Sequence, residues 1–151
     1  MKHPTHIEWL VRCLPVHKAF DAIFLEEEFH RVEYASTLSG WGDTISRSKM
    51  TGVENLIRRV LEDPEIEQRQ KMFFVLAAPG RLPKEEARRH VLAFIPCGPG
   101  VAAEAIRKIA EPEDLDTFRQ LLSTKQDPWD RRRIETTVRQ LEKKFGNLRR
   151  L

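Results

Sequence analysis

The stretch Val53-Glu54-Asn55-Leu56-Ile57-Arg58-Arg59-Val60-Leu61-Glu62-Asp63-Pro64 sets the reading of the whole chain. Its apolar residues fall at 53, 56, 57, 60 and 61, so they share one face of a 3.6-residue helix and leave the charged residues on the other. Asp63-Pro64 then stops it, because proline brings no amide hydrogen and disfavours helical backbone in the residue before it.

Working outward, the same spacing recurs on both sides. Ile7, Leu10, Val11 and Leu14 predict a helix ending near Pro15, and Phe20, Ile23, Phe24 and Phe29 predict another opposite the solvated run Glu26-Glu27-Glu28. Residues 36–51, rich in Ser, Thr and Gly, read as the longest loop. Beyond Pro64, a helix over about 66–77 ends at Pro79-Gly80, and one opening at Pro83 with Glu85 and Glu86 in its first turn carries Val91, Phe94 and Ile95. After Pro96-Cys97-Gly98-Pro99-Gly100 comes a small-residue helix with Val101, Ala102, Ala105, Ile106 and Ile109, then one with Leu115, Phe118, Leu121 and Leu122. A last helix runs from about Pro128 to Phe145, packs through Ile134, Val138 and Leu141, and closes at Gly146. The expectation is an all-α array of eight helices in hairpins, a single domain over residues 1–151.

Pro64, Pro96 and Pro128 recur every 32 residues, each between the two helices of a pair. In that register Phe74, Ile106 and Val138 coincide, as do Ala77, Ile109 and Leu141, which predicts two buried columns on the second helix of each pair. The stretch from Leu56 to Arg69, with an apolar helix, an Asp-Pro turn and a charged opening to the next helix, resembles a HEAT-like repeat of the phycobilisome-lyase type. Phe118 to Arg132, with Asp127-Pro128 at its turn, and Ala102 to Ile109 are similar. The likeness covers about residues 53–145, with 1–50 as a divergent cap. It implies a right-handed α-solenoid of about four helical hairpins that binds protein or, less often, nucleic acid, and it transfers no catalytic residue.

Composition agrees with a globular chain: of 151 residues 40% are hydrophobic and 32% charged, and no apolar run is long enough to span a membrane. Cys13 and Cys97 lie far apart, which fits a reducing cytoplasmic setting, and no signal-peptide core precedes Glu8 and Arg12. Residues 1–75 carry ten cations against twelve acids, and residues 76–151 sixteen against eleven, so the charge passes from −2 to +5 along the chain.

Residues that carry chemistry elsewhere find no supporting pattern here. His3 and His6 lack further ligands, Glu27 and His30 lack the second copy a di-iron bundle uses, and Glu86 and His90 have a different spacing. Cys97 lies just before a helix start but has no base fixed beside it, so it reads as filling a tight turn. Ser36, Ser39, Ser46 and Ser48 lack a nucleophile elbow, and Gly40-Trp41-Gly42-Asp43 is no phosphate loop. No enzyme, metal or cofactor is expected.

Binding is the remaining class. Arg69 and Arg133 are two 32-residue steps apart and Arg107 and Arg139 one step, so a repeat would point each pair the same way. With Arg131 and Arg132 they predict a C-terminal basic surface for an acidic protein, or for nucleic acid on a concave face. Interspersed acids such as Glu104, Asp130, Glu135 and Glu142 also allow ordinary solvated faces with intrahelical pairs. Trp41 is a second candidate contact, as an interface anchor or a core residue.

Overall fold

The computed structural model describes residues 53–146, and within them the chain is all helical with no strand. The elements are α1 (Glu54–Glu62), α2 (Gln68–Ala77), a 3-10 turn (Ala78–Gly80), α3 (Lys84–Ala93), α4 (Pro99–Ile106), α5 (Asp114–Ser123) and α6 (Pro128–Phe145). The expected helices before residue 53 lie outside the described residues.

Six helices make three successive pairs, α1 with α2, α3 with α4 and α5 with α6. The second helix of each pair packs on the second helix of the next, so α4 lies between α2 and α6 and also against α3. Such close approach needs small side chains, and in α4 Gly100, Val101, Ala102, Ala103, Ala105 and Ile106 are all buried. Gly100 is required by geometry: a Cβ there would stand 2.3 Å from Asp130 Oδ1 and 2.9 Å from the Asp130 Cα on α6.

The six positions of the 32-residue register are all buried: Phe74, Ile106 and Val138, and Ala77, Ile109 and Leu141. Two details depart from expectation. Ile109 sits in the turn after α4 rather than on it, because the helix ends at Ile106. Pro83 precedes α3 as its cap residue instead of opening it. The first helices start at 54, 84 and 114, a spacing of 30, so the connections and not the helices absorb the difference from the proline period.

Polar groups close the joins between pairs. Thr137, fully buried on α6, donates to the Ala103 carbonyl at 2.7 Å and accepts from Arg107 Nε at 2.8 Å. Asp127 caps α6 by accepting from the Trp129 and Asp130 amides, while Asp130 accepts from the Gly100 amide at 3.0 Å. The hydrogen bond with Asp130 holds the Asp127 carboxyl below its usual range, whereas burial and the same contact push Asp130 up.

The first helices are tied chiefly by ion pairs. Arg58 on α1 holds Glu86 on α3, and Arg88 on α3 grips the buried Asp114 of α5 through Nε at 2.8 Å and Nη2 at 2.7 Å. Asp114 also accepts from the Glu111 amide at 2.8 Å. Arg119 joins α5 to Glu142 of α6. Intrahelical pairing, the arrangement expected from sequence, is represented by Arg131 with Glu135 and Arg119 with Asp116, while Arg58 with Glu86, Arg88 with Asp114, Arg119 with Glu142 and Arg133 with Glu104 run between elements. An ion pair between neighbours in space but 26 or 28 residues apart in sequence leaves no periodic signature.

Phe74→Ala is expected to lower unfolding free energy by about 3–5 kcal/mol in urea titration, the usual cost of deleting a buried aromatic ring. Gly100→Ala, although it adds only a methyl group, is expected to cost about 1–3 kcal/mol because α4 and α6 must separate. Neutral behaviour of the glycine variant would contradict the close approach.

Candidate functional site

The 18-residue helix α6 carries most of the candidate residues. Its core side is Ile134, Thr137, Val138, Leu141 and Phe145. At 3.6 residues per turn, Arg132, Thr136, Arg139 and Lys143 fall within about 60° of one another on the opposite side. Arg132, Arg139 and Lys143 are exposed, and none forms an ion pair with a described residue.

The acids of α6 do not neutralise this stripe, since each is engaged elsewhere. Asp130 holds the Gly100 amide, Glu135 pairs with Arg131 at 3.1 Å, and Glu142 pairs with Arg119 at 2.7 Å. By helix phase Glu135 and Glu142 border the stripe, Glu135 three residues after Arg132 and four before Arg139 and Glu142 three after Arg139, but their carboxylates are engaged by Arg131 and Arg119 instead.

The structure sorts the other expected contact residues into different roles. Arg133 turns toward α4, where it pairs with Glu104 and lies over the Trp129 ring at 3.8 Å from its centroid. Arg131 is exposed but tied to Glu135 and to the Leu122 carbonyl. Arg107 and Arg139 do not share a direction. Arg107 bonds to Thr137 on the next pair, while Arg139 is exposed on the far side of α6. The equal-spacing rule fails here because Arg107 follows the end of α4, whereas Arg139 lies inside a longer helix. The Arg69 side chain, Trp41 and the loop over 36–51 lie outside the described residues.

Two features escaped the sequence reading. Trp129, half exposed, forms an aromatic shelf beside the stripe, and its signal was the position directly after the Asp127-Pro128 cap. The second is a groove of about 500 Å³ between α2 and α4, lined by Phe73, Leu76, Pro79, Glu104, Arg107 and Lys108 among others. Its residues come from segments about 30 positions apart, so no local pattern announces it.

Glu86 and His90 do not converge on a common ligand. Glu86 is held by Arg58, which keeps its carboxyl below the usual range. His90 turns the other way, toward a cavity of about 90 Å³ between α1, α2 and α3, with its Nε2 buried and unbonded and Glu62 Oε1 at 3.8 Å. Lys71, also buried, lines the same cavity and donates to the Leu61 carbonyl at the end of α1. Cys97 is exposed in the turn before α4, so it does not fill a space there.

Burial pushes the His90 imidazole below its ordinary pKa, with Arg89 acting in the same direction and Glu62 and Glu86 opposing it. The unfolded chain therefore takes up this proton first as pH falls, so the stability contribution is complete above a pH of about 6.5 and declines below it toward the folded pKa. The urea midpoint is expected to fall between pH 7.5 and 5.5, and to fall less in His90→Gln. An equal drop in the variant would place the effect in other groups.

Among the described residues no helix is long and apolar enough to cross a membrane, and no group of three or more His, Cys, Asp or Glu is placed to hold a metal ion. No protein-family model, curated protein or solved structure matches the chain.

Proposed function

We propose that this chain is a non-enzymatic interaction module, a right-handed HEAT-like α-solenoid whose last helix captures an acidic protein surface. The repeat reading is supported by three helix pairs with consecutively packed second helices and by burial of all six register positions. The observation that carries the functional reading is the stripe Arg132, Arg139 and Lys143, opposite the core, beside acids already occupied by Gly100, Arg131 and Arg119. Three cations without paired acids attract a negative surface at long range, and their contribution falls as salt screens it.

Arg131 and Arg133 play a smaller part in this reading than position alone suggests, since both are engaged within the molecule. Removing Arg133 also leaves Glu104 without its partner, so loss of binding in that variant would not separate contact from packing.

The triple variant Arg132→Ser, Arg139→Ser and Lys143→Ser is expected to reduce capture of acidic proteins from a nuclease-treated extract by about tenfold at low salt, with the difference shrinking at high salt. Its melting temperature should stay within a degree or two of the parent's, because the three side chains are exposed. Unchanged capture at low salt would refute the reading, and capture that vanishes on nuclease treatment would assign the stripe to nucleic acid.

A further inference from the structure

The groove between α2 and α4 combines an apolar wall with a charged one. Phe73, Leu76 and Pro79 are each partly exposed on the α2 side, and Phe73 stands outside the buried core cluster. The facing wall is Glu104, Arg107 and Lys108. Glu104 is paired with Arg133, Arg107 bonds to the hydroxyl of Thr137 and forms no ion pair with a described residue, and Lys108 is exposed and likewise unpaired among them. The α4 wall is therefore positive in balance, and it faces a half-buried aromatic ring.

We propose that this groove seats a large apolar side chain of an acidic peptide segment. Charge complementarity selects the occupant: a cationic wall beside an apolar one suits an aromatic or leucine residue flanked by Asp or Glu, and disfavours one flanked by Lys or Arg. A volume of about 500 Å³ is ample for one or two such side chains. The proposal rests on the acidic-partner reading and deepens it. The stripe on α6 supplies attraction at a distance, and the groove supplies the short-range anchor. The link between them is physical, because Glu104 on the groove wall is held by Arg133, which stacks on Trp129 beside the stripe.

The test is a titration of the full ¹⁵N-labelled chain with the capped peptide EEFEELEE, alongside EESEESEE and KKFKKLKK. The amides of residues 73–80 and 104–108 are expected to shift with the first peptide, and its affinity should exceed that of the other two by at least about tenfold, as for a well-seated aromatic anchor. Phe73→Ser should remove that advantage and Phe73→Leu restore most of it. Lys108→Glu, an exposed change that leaves the fold intact, should weaken EEFEELEE and strengthen KKFKKLKK. If the groove amides shift but the Arg132, Arg139 and Lys143 triple variant binds as well as the parent, the groove stands and the stripe reading fails. If shifts confine themselves to α6 and EESEESEE binds equally well, the stripe stands and the groove proposal is overturned. Larger groove shifts with single-stranded RNA than with EEFEELEE would also overturn it.

Discussion

Close approach of α4 to the helices on either side of it is the constraint on which the rest of the molecule depends. Helices bearing Leu or Phe at every contact stand about 8–10 Å apart, whereas Gly and Ala allow backbones to come nearer. In α4 that choice places the Gly100 amide within hydrogen-bond distance of Asp130 and the Ala103 carbonyl within reach of Thr137. The larger side chains that fill the interior, Phe74 from α2, Phe118 from α5 and Ile134 from α6, come from neighbouring helices. A short helix of small residues thus organises longer ones, and the polar contacts it makes would be out of reach if it stood further away.

Electrostatics follows from the same stacking. Pairs of helices side by side bring Arg58 to Glu86 and Arg88 to Asp114, and these bridges join first helices whose backbones touch little. The partly exposed pairs add modestly to stability, while the almost wholly buried carboxylate of Asp114 has its hydrogen-bonding partners in Arg88 and the Glu111 amide, so removing Arg88 would leave it uncompensated. Once these acids are assigned, the positive charge of the C-terminal half is no longer spread evenly. Among the described residues, Arg132, Arg139 and Lys143 on the solvent side of α6 and Lys108 on the groove wall are exposed cations outside these pairs, and the proposed acidic partner rests on their placement more than on the net charge.

Much of the architecture was legible in the chain because it rests on local rules. Asp63-Pro64 and Asp127-Pro128 mark real helix boundaries, Asp127 caps α6 as its type and place suggest, and the 32-residue register found six buried positions. Ile109 left its helix and Arg107 parted from Arg139 because turns differ in length while a register assumes they do not, whereas Pro83 missed its expected place by a single residue at the helix start. The candidate surface was half legible: Arg132 and Arg139 could be found by helical spacing, but the engagement of Arg133 with Glu104 and Trp129 depends on a contact between pairs. The groove was not legible at all, since its two walls meet only after α2 and α4 pack.

Native-state hydrogen exchange of the intact chain tests the central role of α4 most directly. Amides whose opening requires global unfolding exchange last. The account predicts that the Ala102–Ile106 amides belong to this slowest group together with the facing stretch of α6 around Ile134–Leu141, while α3 and α5 open earlier. Exchange of α4 ahead of α3 and α5 would contradict it, for a helix that can open while its neighbours stay folded cannot be what holds them in place.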